Sequence, residues 1–264
     1  RPGRAQRLAR FLDHLLVLLP FEPPHFERHG LTTTWVGHPA VEAAGRGGSR
    51  AVARRALDLP ASAPVLCVLP GSRRGEVRRL LPIFAATVGL LAERCSDLRV
   101  VIPTVATVAE TVSRAVATWP VPVRVLSAPE DKYRAFAAAD AALAASGTVA
   151  VELAVAGVPA VIAYRMAPPT AAVARRLVKV RHVSIPNLLL ERTVQPEFLQ
   201  EACTAPNLAA TLVPLMAETP ARSEHVAALR EAVARLAPDK VPPSTRAARA
   251  VLETIAAGVS RQGR

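Results

Sequence analysis

The chain has 264 residues, which is enough for one large domain or for one and a half domains of ordinary size. Its residues are 51% hydrophobic and 20% charged, a composition typical of a globular protein and not of a disordered chain. The net charge of +12 comes almost entirely from arginine. Two origins of this charge stay open: a compositional bias toward Ala, Arg and Pro, or an acidic partner such as a phosphate, a nucleotide or an anionic membrane surface.

Apolar stretches and cysteines argue against several further classes of protein. The longest apolar runs, such as Val158–Tyr164, have the length of a strand and fall far short of the roughly 20 residues that cross a bilayer. The opening residues, RPGR, are not followed by the apolar core of a signal peptide. The cysteines are odd in number and far apart, which favours reduced thiols in a cytoplasmic protein over a disulfide framework or a zinc site.

The first 50 residues predict two short strands, each preceded by a helix. In chain order the predicted elements are helix Arg4–Leu12, strand His14–Leu19, helix Glu22–His29 and strand Thr33–Val36. Gly37-His38-Pro39 ends the second strand, because glycine and proline interrupt regular structure. The Ala- and Gly-rich segment Val41–Arg50 is predicted to link this region to the next.

From residue 65 onward, apolar runs of strand length alternate with helical segments. The predicted strands are Val65–Leu69, Leu98–Pro103, Val121–Leu126, Ala139–Ala144 and Pro159–Tyr164. The predicted helices are Glu76–Arg94, Val105–Thr118, Asp131–Ala138, Thr148–Ala156 and Pro169–Val178. Unbroken apolar strands suit a parallel sheet that is covered on both faces, and their alternation with helices predicts a doubly wound α/β domain. The segment Leu208–Ala257 is predicted to be all helical.

A glycine-containing turn, LPGSRRGE, follows the first strand of this domain and opens a long predicted helix. Gly71 allows backbone N–H groups to approach an anion, and the N-terminus of the helix adds a favourable partial charge. Arg73 or Arg74 supplies a planar fork of donors that suits a diphosphate. The alternative, an ordinary glycine turn with two solvated arginines, stays equally open from these residues alone.

A second turn of the same kind, Ser146-Gly147-Thr148, closes another predicted strand and opens a helix that contains Glu152. Its hydroxyls and amides suit a phosphate, and the carboxylate of Glu152 can accept hydrogen bonds from ribose hydroxyls. Taken singly, this turn is better explained by helix capping and by an acidic first turn. Two turns of this kind in one sheet favour a nucleotide diphosphate site.

Seven short motifs in order resemble lipid-A-disaccharide synthases across the whole chain. They are LLPFEPPHFERHG at 18–30, VGHP at 36–39, LPGSR at 69–73, AASGTVAVE at 144–152, AYR at 163–165, VSIPNL at 183–188 and PEFLQ at 196–200. The resemblance implies a GT-B fold, in which two Rossmann-like domains occur and the second mainly holds the nucleotide. It also implies transfer of 2,3-diacylglucosamine from UDP to 2,3-diacylglucosamine 1-phosphate, which releases UDP and gives a β-1,6 disaccharide 1-phosphate.

The resemblance also assigns roles to individual residues. It places the nucleotide contacts at Gly71, Ser72, Arg73, Ser146, Gly147, Thr148 and Glu152. It gives catalytic roles to Arg73, Asn187 and Glu197, and it makes Arg165 and His38 candidate substrate contacts. Spacing alone favours plainer interpretations, a loop-capping Asn187, a helix-starting Glu197 and a turn-forming His38 with satisfied hydrogen bonds. Because the sequence contains no Asp-x-Asp pair, no metal is expected to clamp the diphosphate, and no cofactor is expected.

The expected organisation follows from the same resemblance. Residues 1–40 are expected to be a remnant of an acceptor-side Rossmann-like domain, 41–62 a linker and first helix, 63–218 the UDP-sugar-binding domain and 219–264 a helical C-terminal tail. The general base is expected before Arg1, so the chain alone is expected to bind nucleotide without making disaccharide. A homo-oligomer is possible, and the sequence does not determine the oligomeric state.

The suggested lipid substrates make the inner face of the bacterial inner membrane the expected location. A basic stripe supports a peripheral contact with that anionic surface, because arginine recurs every third residue on the first predicted helix beside apolar side chains. The stripe consists of Arg1, Arg4, Arg7 and Arg10, and the apolar neighbours are Leu8, Phe11 and Leu12. A helix face packed on other protein is an equally open alternative.

Two rival functions stay open. One is another GT-B enzyme, such as a UDP-N-acetylglucosamine 2-epimerase or a glycosyltransferase of peptidoglycan precursors, which would lack the FEPPHFERHG and VGHP stretches. The other is a non-enzymatic, arginine-rich nucleic-acid-binding domain. The sequence disfavours the second, because aromatic residues make up only 4% of the chain and no nucleic-acid-reading motif is present.

Overall fold

The computed structural model describes residues 3–145, 147–167 and 181–262, so the predicted helix Pro169–Val178 lies outside the described residues. The chain divides into two compact units. The larger unit spans residues 44–232, and the smaller one combines residues 1–43 with 233–264.

The larger unit contains a six-stranded sheet in which every pair of neighbouring strands is parallel. Its strands are β3 (Val65–Leu69), β4 (Arg99–Pro103), β5 (Val123–Leu126), β6 (Ala141–Ala145), β7 (Ala160–Tyr164) and β8 (Glu197–Leu199). They lie in the order β5-β4-β3-β6-β7-β8, so the doubly wound sheet predicted from the sequence is confirmed. Strand β8, which is only three residues long, was not predicted from the sequence.

Both faces of this sheet are covered. Leu66 and Val68 of β3 point into one apolar cluster, whereas Val65, Cys67 and Leu69 point into the other, and all five are buried. The helices of the larger unit are α3 (Arg50–Ala56), α4 (Arg74–Ala92), α5 (Ala106–Val116), α6 (Pro129–Ala138), α7 (Val149–Val155), α8 (Ile185–Leu190), α9 (Ala205–Leu212) and α10 (Pro220–Ala234). The double cover explains why the strands read as unbroken apolar runs.

A buried ion pair fixes the starts of the two central strands. Asp140, directly before β6, accepts hydrogen bonds from the Arg54 guanidinium at 2.9 Å and from the Val65 amide of β3 at 2.8 Å. Arg54 is 3% exposed, and it also donates to the carbonyls of residues 60, 61 and 138. Arg50 forms a second ion pair with the same carboxylate. The amino ends of β3 and β6 are therefore tied to helix α3.

A buried histidine supports the neighbouring strand. His225 of α10 accepts a hydrogen bond from the amide of Ala160, the first residue of β7, at 3.3 Å. Burial, together with the positive charge of Arg222, lowers the pKa of His225 to about 4. The imidazole is therefore neutral at physiological pH.

The smaller unit is built on two parallel strands, β1 (His14–Val17) and β2 (Thr32–Trp35). Its helices are α1 (Gly3–Leu8), α2 (Pro23–Glu27) and α11 (Pro243–Gln262). Arg246 of α11 donates to the Val36 carbonyl at 3.1 Å and pairs with Asp239, which fastens α11 to the end of β2. The last helix therefore belongs with the N-terminal segment, a long-range contact that no local pattern encodes.

Several element boundaries differ from the sequence predictions by a few residues. The first helix ends at Leu8 and not at Leu12, and β5 begins at Val123, directly after a proline that has no N–H to donate. Among the described residues, no helix is both long enough and apolar enough to cross a membrane.

Candidate functional site

The strand order reverses between β3 and β6, which are neighbours in the sheet. From β3 the chain moves outward through β4 to β5, and it then returns to the other side of β3 and moves outward through β6, β7 and β8. Open α/β sheets bind ligands at the carboxyl ends of the strands at such a switch point. Leu69 pairs with Ala144, so these two strands end side by side and the turns that follow them are neighbours.

The turn after β3 contains Gly71 at φ +106°, a conformation that side chains rarely adopt. Arg73 is the N-cap of α4 and no side chain caps this helix, so its first amides keep their capacity to donate to a ligand. Arg73 and Ser72 are exposed, and the Arg73 guanidinium makes no hydrogen bond or ion pair within the described part of the chain. The turn therefore presents free donors at the switch point.

An acidic side chain that the sequence did not mark as part of the site also lies at this turn. Glu76, in the first turn of α4, folds back so that its carboxylate occupies the space where a Cβ on Gly71 would stand. Only glycine leaves room for this arrangement. The spacing of Gly71 and Glu76 around a helix start was visible in the sequence, but the closeness of the Glu76 carboxylate to Gly71 is a feature of the folded turn.

The turn after β6 leads directly into α7. Ser146 lies outside the described residues, whereas Gly147 and Thr148 are exposed. A Cβ on Gly147 would meet no atom of the described residues within 4 Å, so these residues leave open space beside this turn. Thr148 is the N-cap of α7, and its hydroxyl does not cap the helix, which leaves the hydroxyl available.

Glu152, in the first turn of α7, is held by a lysine that the sequence analysis did not assign to the site. The Lys132 ammonium of α6 donates to Glu152 Oε1 at 2.7 Å, and the two side chains are 34% and 21% exposed. Lys132 also lies 4.8 Å from the centre of the Tyr133 ring, while Arg46 lies 5.7 Å from it. The only hint in the sequence was the scarcity of lysine, because Lys132 is one of three in the chain.

Arg165 lies directly after β7, the next strand along this edge of the sheet. Its side chain is exposed, and its carbonyl accepts a hydrogen bond from Arg79 Nε of α4 at 2.9 Å. Burial raises the pKa of the Cys203 thiol nearby, and the positive charge of Arg165 opposes that effect. Arg79 therefore links the helix of the first turn to the end of β7.

Asn187 is fully buried in α8, and its side chain is used by the backbone of the following loop. Its Oδ1 accepts from the amides of Val194 and Gln195 at 2.7 and 2.8 Å, and its Nδ2 donates to the Gln195 carbonyl at 2.8 Å. Gln195 in turn donates to the Ala150 carbonyl of α7 at 3.0 Å. Asn187 is thus connected to the helix that carries Glu152 through one intermediate residue.

Glu197, the first residue of β8, also acts on backbone. Its carboxylate accepts from the amide of Val183 at 3.1 Å and from that of Ser184 at 2.5 Å. These are the residues that lead into α8, so Glu197 fixes the start of the helix that contains Asn187. Asn187 therefore stabilises the loop that leads to Glu197, and Glu197 stabilises the start of the helix that contains Asn187.

His38 belongs to the smaller unit. It is 5% exposed, its Nδ1 accepts from the Ala40 amide at 3.1 Å, and its own amide donates to the Leu236 carbonyl at 2.8 Å. The imidazole therefore stabilises the turn that follows β2.

Known structures share this fold. A lipopolysaccharide glycosyltransferase, WaaG, aligns with a TM-score of 0.51 and 16% identity over 87% of this chain and 60% of its own. MurG from Acinetobacter baumannii aligns with a TM-score of 0.54 and 16% identity over 90% of this chain and 60% of its own. The wall teichoic acid polymerase TagF gives a TM-score of 0.55 at 12% identity, over 98% of this chain and 60% of its own. The fold is that of the GT-B glycosyltransferases.

The sequence comparisons identify the family within that class. Residues 1–248 match the sequence model of the lipid-A-disaccharide synthetase family, LpxB, and the chain belongs to this family. A lipid-A-disaccharide synthase from Rhodospirillum centenum is 54% identical over all of this chain and 66% of its own length. One from Paramagnetospirillum magneticum is 46% identical over 98% of this chain and 66% of its own. The chain thus spans just under two thirds of the length of these relatives.

Proposed function

We propose that this chain carries the nucleotide-binding site of a glycosyltransferase that makes lipid A disaccharide. The donor is UDP-2,3-diacylglucosamine and the acceptor is 2,3-diacylglucosamine 1-phosphate. The bond between the anomeric carbon and the UDP oxygen breaks, and a β-1,6 bond to the acceptor forms. The proton of the acceptor hydroxyl passes to a general base, and UDP leaves. Membership of the family supports the reaction, and two uncapped turns meeting at the switch point support the site.

The diphosphate is proposed to lie against the turn after β3. Negative charge grows on the departing UDP as the glycosidic bond breaks, and donors already aimed at that charge lower the barrier. The amides at the start of α4 and the unpaired guanidinium of Arg73 are such donors, and the Thr148 hydroxyl adds one from the adjacent turn. Glu152 is proposed to accept hydrogen bonds from the ribose hydroxyls.

Asn187 and Glu197 are proposed to support the reaction by positioning. Their polar atoms form hydrogen bonds with the backbone at 183–184 and 194–195. Gln195 in turn donates a hydrogen bond to α7, so the two residues are connected to the helix that carries Glu152. Arg165 is proposed to contact substrate, because its exposed side chain follows the strand next to β6.

A titration of the chain with UDP tests the site. Arg73→Ala should weaken binding roughly 10- to 150-fold, because loss of a charge-assisted contact costs about 1.5–3 kcal/mol. Arg78→Ala is the matched control, since Arg78 is an exposed arginine one turn further along the same helix. Equal affinities in both variants would remove Arg73 from the site. Single-stranded RNA that binds more tightly than UDP at moderate salt would favour a nucleic-acid-binding domain instead.

We further propose that the smaller unit contacts the anionic cytoplasmic face of the inner membrane. Arg4, Arg7, Leu8 and Phe11 line one shallow depression, and Phe11 is 65% exposed. A basic surface beside exposed apolar side chains suits an interface with anionic lipid.

Flotation with phosphatidylglycerol vesicles tests this contact. The chain should float with the vesicles at low salt, and a smaller fraction should do so at high salt. An Arg4→Glu/Arg7→Glu variant should remain at the bottom of the gradient. A double reversal on exposed arginines of the larger unit, Arg78→Glu/Arg94→Glu, controls for the change in net charge. Equal flotation by both variants would rule out this surface.

A further inference from the structure

The pair formed by Lys132 and Glu152 lies at the carboxyl edge of the sheet, where the proposed ribose contact is made. Lys132 stands in the first turns of α6 and Glu152 in the first turn of α7, which directly follows the site strand β6. Their contact, at 2.7 Å, joins two helices that are separated by a strand in the chain. It is therefore a tertiary contact and not a local pair along one helix.

The lysine is held at both sides of its ammonium group. One donor goes to Glu152 Oε1, and the Tyr133 ring lies 4.8 Å from the nitrogen. Tyr133 is itself fixed by edge-to-face packing on Phe136, with 6.1 Å between the ring centres. A cation held by a carboxylate and by an aromatic ring has little freedom to move.

Only one oxygen of Glu152 is used by this pair. Oε2 makes no hydrogen bond in the described ranges, so it can accept from a ligand. A flexible glutamate loses rotamer freedom when it binds a hydroxyl, and a partner that already fixes its carboxylate removes part of that cost. Lys132 therefore prepares Glu152 to accept a hydrogen bond.

We infer that Lys132 is a positioning residue of the nucleotide site, which holds Glu152 so that the enzyme distinguishes a ribose from a sugar that lacks its hydroxyls. This inference rests on the proposed function, because it takes Glu152 to be the ribose contact. Lys132 acts through Glu152, so its effect should follow the ribose hydroxyls and not the diphosphate.

The experiment compares UDP with 2′,3′-dideoxyuridine diphosphate by calorimetry in the wild type and four variants. The variants are Glu152→Gln, Lys132→Met, Lys132→Arg and Arg134→Met. Arg134 is the matched control, since it lies on the same helix and pairs with an acid, Asp131, but does not contact Glu152. The ratio of the two affinities cancels any general loss of positive charge. Wild type should prefer UDP by about 10-fold or more, the order of one to two hydrogen bonds to a charged group.

Lys132→Met should reduce this preference at least about threefold, Arg134→Met should leave it unchanged, and Lys132→Arg should restore most of it. A preference that survives in Lys132→Met but is lost in Glu152→Gln would overturn the inference and leave the ribose contact standing. Equal losses for both ligands in Lys132→Met would also overturn it, by making Lys132 a phosphate contact. A preference unchanged in Glu152→Gln would refute the proposed ribose contact, and the inference with it.

Discussion

Replacement of Asp140 by alanine should destabilise the larger unit more than any surface change of the same chemistry. The carboxylate is the counterion of Arg54, which is 3% exposed, and the acceptor for the Val65 amide. Removal of one member of a buried ion pair costs about 3–5 kcal/mol, and an amide without an acceptor adds about 1 kcal/mol. Because Arg54 keeps three carbonyl partners, we expect a total near the lower end, about 4 kcal/mol.

Urea denaturation followed by circular dichroism measures this loss. Glu110→Ala is the control, because its pair with Arg114 is exposed and should be worth less than about 1 kcal/mol. In an Arg54→Met background, the cost of Asp140→Ala should fall by at least about half, since no buried charge is then left unpaired. If Asp140→Ala costs no more than Glu110→Ala, the buried pair is not what fixes the starts of β3 and β6.

Three further changes have defined outcomes. Gly71→Ala should lower the free energy of unfolding by about 1–2 kcal/mol or more, and its new Cβ should displace the Glu76 carboxylate. Gly157→Ala, at φ +69° with open space around it among the described residues, should lower it by less. Equal losses would show that the contact between the new Cβ and Glu76 adds no cost. The folded pKa of His225, about 4, lies below its unfolded value of 6.5, so stability is complete above pH 6.5 and declines as pH falls toward 4. Between pH 7.5 and 5 the loss should be about 2 kcal/mol, and His225→Gln should remove it in urea titrations at the two pH values. EDTA should leave UDP affinity within about twofold, because amides and arginine hold the diphosphate without a cation, and a collapse in affinity would reveal a metal.

The larger unit could be predicted from the sequence because its information is local. Strands buried on both faces are apolar throughout, so β3 and β6 stand out, and glycines mark the turns that follow them. The order of the strands could not be read in the same way, because it depends on which edges pair. β8 was missed because three partly buried residues leave no pattern.

The residues of the candidate site also fall into two groups, those that the local sequence marks and those that it does not. Gly71 and Arg73 were visible because they lie within a few residues of a strand end, and Glu152 because it lies in the first turn of the helix that follows β6. Lys132 reaches the site from α6, and the contact of Arg79 of α4 with Arg165 after β7 joins segments far apart in the chain, so only the tertiary structure brings these groups together. The smaller unit shows the same limit, since the contact between the end of β2 and α11 spans about two hundred residues of chain.

A crystal structure of the chain with UDP would locate the nucleotide directly. We expect the diphosphate against Gly71 and Arg73, with the ribose within hydrogen-bonding distance of Glu152 Oε2. UDP bound at the amino edge of the sheet, or with its diphosphate away from the turn after β3, would show that the proposed site is wrong.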